Sequence, residues 1–460
     1  MQMKTINNLL KANLPTLLLL LLLALAYYFH TFQQWLHLKE AEEVALLILL
    51  GTALMWITEA IPLYVTSLGV LLLSLLWLFP LLQGAGIAAE KGDFYQAFFG
   101  DITLLFMGGF VLSSLLNKYG LAQRMANWMI QKTGTEPSRV LAGIIIITSM
   151  LSMWMSNTAT AAMMFAIVSP MILQLPKTSP FSKGLAIAIP FACNIGGLGT
   201  PIGTPPNAIA IGYLEQAGIA VSFSTWMLIA FPIMAVLLFF LWWLLLRSYP
   251  PGPIAIDMGI EEEEDRFTIR QYLVIGLFLL TILGWLSSGL TGLSTGTVGL
   301  IAIIIAFGGS LLKTQDFRNI SWDILFMLGG GLCLGVGLNK SGLTDTIAHA
   351  IPVGAGFYFI FGILLLMAAA MTTVMSNTAT ANLLIPVAVS LPNNELVLCI
   401  AISIMCSSSM ALPVSTPPNA IAFGSGLLQA RDMFNSGMLI TVFALVATIL
   451  ASIFYLPLFF

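Results

Sequence analysis

The chain carries little charge. Only 8% of its 460 residues are Asp, Glu, Lys or Arg, and 58% are hydrophobic, whereas soluble domains carry about 25% charged residues. That composition excludes a soluble enzyme. There is no basic tract and the net charge is −3, which excludes a nucleic-acid binder that works by neutralising phosphates. Histidine is nearly absent: His30, His37 and His349 show no metal-ligand spacing. Cysteine is scarce too. Cys193, Cys333, Cys399 and Cys406 all lie in apolar runs. They read as small buried hydrophobes, not as a disulfide framework or a metal site.

What the chain has in quantity is long apolar sequence. A spanning helix needs about 20 apolar residues. The first run, residues 14–29, follows Lys4 and Lys11 but lacks a small-residue cleavage site, so it reads as a retained span and not a signal peptide. Further runs cover residues 44–60, 63–82, 102–116, 223–246, 272–286, 293–312, 324–338 and 438–459. Between them lie four longer or broken apolar regions, 140–176, 184–214, 352–394 and 396–430, none of which contains Asp, Glu, Lys or Arg. Treating the first and third of these as hairpins and the other two as single broken spans gives about eleven crossings of an all-α membrane protein. With the N-terminus in the cytoplasm, all of the 17 Lys and Arg residues except Lys39, Lys91 and Lys340 then fall inside, as the positive-inside rule requires. The C-terminus lies outside. The acidic run Glu261-Glu262-Glu263-Glu264-Asp265 follows Pro250-Pro251-Gly252-Pro253 and reads as a solvated cytoplasmic linker.

The two halves repeat each other. Asp101-Ile102, Asn117-Lys118 and Gly120-Leu121 recur as Asp323-Ile324, Asn339-Lys340 and Gly342-Leu343. Ser156-Asn157-Thr158-Ala159-Thr160-Ala161 recurs as Ser376-Asn377-Thr378-Ala379-Thr380-Ala381, and Thr204-Pro205-Pro206-Asn207 as Thr416-Pro417-Pro418-Asn419. The order is kept and the spacing drifts slowly. By parity the span from Ile102 runs inward and its counterpart from Ile324 outward. Inverted-topology repeats are a mark of secondary transporters, with the site at the midplane. The expected organisation is N-terminal scaffold helices (1–100); a first repeat (101–248) with a hairpin at about 138–176 and a broken helix at about 184–214; the acidic linker (249–269); scaffold helices (270–320); and a second repeat with the last helix (321–460), its hairpin at about 352–394 and its broken helix at about 396–426.

Each Ser-Asn-Thr lies in the middle of a charge-free region. Either each region is two full spans with the motif at the far surface, or it is a re-entrant hairpin with the motif at a buried tip. Thr148, Ser149 and Ser152 in one copy, and Thr372 and Thr373 in the other, make the approach polar. That favours a tip facing a cavity, since non-helical backbone at depth must line protein or water. A helix starting at such a tip offers free N–H groups and partial positive charge. Ser and Thr hydroxyls and the Asn amide add donors, so the tip is an anion site without formal charge. Two tips suit two carboxylates. The same tips offer carbonyl and side-chain oxygens to a hard cation such as Na+, and co-bound cations offset a dianion's charge. Tandem prolines break the other helices and free upstream carbonyls, while Gly196, Gly197, Gly199 and Gly203 allow close approach. Glu59, just before Pro62, reads as a functional or a capping group, and Asp101 and Asp323 as N-terminal caps.

These motifs, together with Trp56-Ile57-Thr58-Glu59-Ala60-Ile61-Pro62, resemble those of the divalent anion:sodium symporter family, and the resemblance covers nearly the whole chain. It implies eleven spans, two re-entrant hairpins, a homodimer in the cytoplasmic membrane and elevator-type movement. It implies Na+-coupled import of C4-dicarboxylates such as succinate, malate and fumarate. Some members exchange dicarboxylates or tricarboxylates without Na+, which is the alternative. By the same resemblance, Ser152, Ser156, Asn157 and Gly203 form a first Na+ site. Thr372, Met375, Asn377 and Ser415 form a second, Met375 and Ser415 through their carbonyls. Ser156, Asn157, Thr158, Thr204, Ser376, Asn377, Thr378, Thr416 and Pro417 meet the substrate. Its partners are thus the dicarboxylate, Na+, the lipid bilayer and a second copy, with no nucleic acid and no catalytic residue.

Overall fold

A computed structural model describes residues 2–176, 179–252, 266–350, 357–391 and 394–459. The run Glu261–Asp265, and with it most of the expected linker, lies outside the described residues, as does the start of the expected second hairpin. Every regular element among the described residues is helical. In chain order they are α1 (Gln2–Tyr28), α2 (Thr31–Leu36), α3 (Glu40–Thr58), α4 (Leu63–Leu73), α5 (Phe79–Gly84), α6 (Lys91–Phe98), α7 (Asp101–Lys118) and α8 (Leu121–Lys132). Then come α9 (Pro137–Ser152), α10 (Asn157–Gln174), α11 (Phe181–Gly196), α12 (Pro205–Gln216) and α13 (Phe223–Ser248). The second half holds α14 (Ile269–Leu286), α15 (Ser288–Thr291), α16 (Thr295–Gly308), α17 (Thr314–Arg318), α18 (Trp322–Ser341), α19 (Leu343–Ala350), α20 (Phe357–Val374), α21 (Asn377–Val389), α22 (Glu395–Ser408), α23 (Pro417–Gly424) and α24 (Ala430–Phe454).

Among the described residues, ten helical stretches are long and apolar enough to cross a membrane. The outer faces of α13, α14, α16 and α24 present large apolar side chains such as Leu228, Phe239, Leu280, Ile304 and Val442, as bilayer-facing helices do. The protein is a multi-pass membrane protein. An inner body is built from α9 to α13 and α20 to α24, and a frame from α3 to α7, α14, α16 and α18. Helix α11 is buried along nearly its whole length. In the frame, α7 and α16 pack most tightly. A Cβ on Gly108 would stand 2.7 Å from the Gly299 Cα, so the small residues set the approach of the two backbones.

Asp101 departs from the expectation. Gly100 is the N-cap of α7, and the Asp101 carboxylate serves α16 instead. It accepts from the Ser294 hydroxyl (2.5 Å), the Thr295 hydroxyl (3.2 Å) and the Gly296 N–H (2.9 Å). The neighbouring helix start is the better partner because its N–H groups are unpaired and its end is partly positive. Asp323 lies in the first turn of α18, after the N-cap Ser321. Glu59 is the C-cap of α3, exposed and left-handed at φ 48°.

Candidate functional site

Both Ser-Asn-Thr motifs lie at helix–turn–helix tips. Ser156 is the N-cap of α10 and accepts from the Ala159 N–H at 3.2 Å. Ser376 caps α21 in the same way, through the Ala379 N–H at 3.1 Å. Each cap uses a lone pair of its serine and leaves the first helical N–H groups, beginning at the Asn, without an intrahelical acceptor. Those N–H groups and the helix dipole favour an anion. Ser156, Asn157, Ser376, Asn377 and Thr378 are half-buried and Thr158 is exposed, so neither tip is sealed inside the protein.

Behind each tip sits a cluster of three oxygens. The Ser152 hydroxyl lies 2.6 Å from Asn157 Oδ1 and 2.9 Å from the Cys193 carbonyl. The Thr372 hydroxyl lies 2.6 Å from Asn377 Oδ1 and 2.9 Å from the Cys406 carbonyl. A hydroxyl has one proton, and here it faces two acceptors in each copy. In both copies the hydroxyl, the amide oxygen and the helix carbonyl thus form one hydrogen-bonded group of three oxygens behind the tip. Ser152 and Thr372 are themselves fully buried.

The broken helices complete the site. After α11 the chain makes a short 3-10 turn at Gly197–Gly199 and restarts as α12 at Pro205. Asn207 holds this break open in a fixed shape: its Nδ2 donates to the carbonyls of Gly197 (2.9 Å) and Thr200 (2.8 Å). Asn419 does the same after α22, donating to Met410 (3.0 Å), Leu412 (2.9 Å) and the Ser415 hydroxyl (3.1 Å). The prolines remove donors, and each asparagine supplies a replacement. The two halves also brace each other. Asn194 of α11 donates to the Thr416 hydroxyl at 3.1 Å, and Ser403 of α22 donates to Asn207 Oδ1 at 2.9 Å. Thr204 and Thr416 are buried in these breaks, while Pro417 is exposed.

Of the expected first cation set, Ser152, Asn157 and Gly203 lie near one another, while Ser156 is engaged as the cap of α10. A Cβ on Gly197 would stand 3.0 Å from Asn157 Oδ1 and 3.1 Å from the Gly203 carbonyl, so these two oxygens flank one point, with Ser152 bonded to the first of them. The Thr200 hydroxyl ties this break to the hairpin tip through the Met153 carbonyl at 2.5 Å. In the expected second set, Thr372 and Asn377 are in contact, while the hydrogen bonds of Ser415 go to Leu412 and Asn419 within its own break. Asn207, Asn419, Asn194, Ser403 and the carbonyls of Cys193 and Cys406 went unassigned in the sequence. The Asn in each Pro-Pro-Asn was the available signal, since an amide beside a broken helix is the group that satisfies freed carbonyls.

Comparison with known proteins places this geometry. A family model described as "Citrate transporter" matches residues 53–396. The sodium-dependent dicarboxylate transporter SdcS of Staphylococcus saprophyticus is 30% identical over 92% of this chain and 87% of its own. The inorganic phosphate transporter PHO87 of Saccharomyces cerevisiae is 31% identical over 80% of this chain, but over only 41% of its own. Among solved structures, the YdaH transporter of Alcanivorax borkumensis superposes with a TM-score of 0.54, over 82% of this chain and 88% of that one, at 11% identity. That likeness concerns the fold alone. The family match covers well over half of the chain. The chain is therefore a transport protein, not an enzyme, and belongs to the divalent anion:sodium symporter family.

Proposed function

We propose that the protein imports C4-dicarboxylates such as succinate, malate and fumarate across the cytoplasmic membrane by Na+ symport. The observation that carries this reading is the pair of oxygen clusters behind the tips, with the same 2.6 Å and 2.9 Å distances in both halves. Each cluster shares its asparagine with a tip that offers N–H donors to a carboxylate. Na+ bound at Ser152, Ser156, Asn157 and Gly203, and at Thr372, Met375, Asn377 and Ser415, fixes the asparagines with their oxygens toward the cation. Their NH2 groups then face the substrate. The dicarboxylate meets Ser156, Asn157, Thr158 and Thr204 at one end and Ser376, Asn377, Thr378, Thr416 and Pro417 at the other. Cations bind first, because a dianion entering a neutral site alone loses hydration without compensation. The names of the relatives as sodium-dependent dicarboxylate transporters support this assignment.

Two hairpin helices are short for a full crossing. Helix α9 has 16 residues and α21 has 13, against the roughly 20 a span needs. This supports re-entrant hairpins in two inverted repeats. The division into an inner body that carries both tips and a frame around it supports elevator movement of that body, in a homodimer whose N-terminus is cytoplasmic and C-terminus outside. Uptake of labelled succinate into Na+-free proteoliposomes preloaded with unlabelled succinate is the test. Uptake there equal to that driven by a Na+ gradient would assign an exchanger.

A further inference from the structure

The frame meets the two hairpins through a pair of matching tryptophans. Trp56 lies near the end of α3 and Trp285 near the end of α14; both are fully buried. The Trp56 indole N–H donates across the chain break to the Leu63 carbonyl, at the start of α4 (3.3 Å). The Trp285 indole N–H donates across the corresponding break to the Thr295 carbonyl, at the start of α16 (2.9 Å). Each hydrogen bond staples two frame helices and fixes one ring, since a buried indole has a single donor and few rotamers.

Trp56 faces the second hairpin directly, and Trp285 reaches the first through Phe223 of α13. Trp56 closes a small apolar cluster with Met327 of α18 and with Met375, Ala379 and Leu383 of the second hairpin. Met375 stands immediately before Ser376, at the tip. On the other side Trp285 stacks on Phe223 (5.2 Å between ring centroids), and Phe223 stacks on Trp154 (6.2 Å), which stands at the first tip between Ser152 and Ser156. The Trp56 cluster is separate from the main core, which contains Trp285. The second tip thus meets the frame at a small apolar cluster of its own, beside the hydrogen bond from Asn382 to the Met327 carbonyl (3.4 Å).

We propose that Trp56 and Trp285 are positioning residues for cation binding. Each holds one hairpin tip against the frame in the shape that presents its cation ligands, Trp56 through Met375 and Trp285 through Phe223 and Trp154. Neither ring touches the ion. This rests on the Na+-symport reading. The tip geometry is what a cation selects, so loosening the contact raises the Na+ concentration needed without altering the ligands themselves.

The test measures Na+-dependent succinate uptake by the full-length protein in proteoliposomes, for wild type, W56F, L383A and W322F. Trp56→Phe removes the indole hydrogen bond and Leu383→Ala thins the same cluster. Trp322→Phe removes a similar indole hydrogen bond, to the Phe317 carbonyl at 3.1 Å, outside the Trp56 cluster. W56F should raise the half-saturating Na+ concentration about three- to ten-fold, the span one neutral hydrogen bond allows, and L383A should raise it too. Their maximum rate at saturating Na+ and their succinate KM in saturating Na+ should stay near wild type, and W322F should leave the Na+ dependence unchanged. If W56F and L383A lower only the maximum rate or the melting temperature, the tryptophan is structural and the inference falls while the symport reading stands. Independently of folded yield, a Na+ titration of the melting temperature on the purified fraction of each variant reads the same affinity and overturns the inference if its midpoint matches wild type. Wild-type uptake that ignores Na+ overturns the symport reading itself.

Discussion

The Ser152 hydroxyl lies 2.6 Å from Asn157 Oδ1, five residues on and across the hairpin turn. The pair Thr372 and Asn377 repeats this at the same distance in the other half. In both places the hydroxyl also reaches a carbonyl of a buried helix, Cys193 or Cys406. In the proposed symport this arrangement would connect cation binding to substrate binding, since the asparagine is assigned to both.

On the proposed assignment, removing either hydroxyl should weaken Na+ binding. S152A and T372V should raise the half-saturating Na+ concentration about ten-fold, as one lost oxygen ligand and hydrogen bond permit. T372S, which keeps the oxygen, should stay near wild type. The Na+ dependence of succinate uptake reads all three.

Asn207 and Asn419 hold the breaks. N207A leaves the Gly197 and Thr200 carbonyls without their donor, and buried acceptors left unpaired cost about 1–3 kcal/mol. The melting temperature of N207A should fall, and uptake should be lost even at saturating Na+. N419A should do the same in the second half.

Gly203 faces the Gly197 backbone so closely that a Cβ there would collide with it. G203A should abolish Na+-driven uptake. G276A, on α14 where a Cβ meets nothing within 4 Å, should be silent in the same assay.

Acid should loosen the junction between α7 and α17. Lys118 Nζ lies 2.5 Å from Asp316 Oδ2. Burial pushes the Asp316 carboxyl up, but the Lys118 hydrogen bond, the Lys313 N–H and both lysine charges outweigh it, so its pKa lies below the ordinary carboxylate value. A depressed folded-state pKa contributes stability above the unfolded pKa and loses it as pH falls through the folded one. The difference in melting temperature between wild type and D316N should therefore be present at neutral pH and vanish below the ordinary carboxylate range.

Much of the architecture was legible in the sequence because the bilayer imposes a length on apolar runs. The region proposed as the first hairpin, about 138–176, holds α9 and α10, residues 137–174. Gly197–Gly199 and Pro205 stand at the interruption between α11 and α12. Asp101 was misread because a helix-start carboxylate looks like a cap for its own helix, and only packing reveals that α16 is nearer. The carbonyls of Cys193 and Cys406 were invisible for a related reason: any residue type has a carbonyl, so its role comes from where the helix is broken. Trp56 was legible as a motif residue, but its position beside Met375 depends on the α3–α21 contact, which no local pattern encodes.

The central claim is that both oxygen clusters bind Na+ that drives dicarboxylate import. The most direct measurement is labelled succinate uptake into proteoliposomes with an inward Na+ gradient and empty lumens, beside a Na+-free set preloaded with unlabelled succinate. The account predicts accumulation in the first set and none in the second, and loss of that accumulation in the S152A/T372V double variant at Na+ levels that saturate wild type. Uptake confined to the preloaded, Na+-free set, or a double variant with unchanged Na+ dependence, would contradict it.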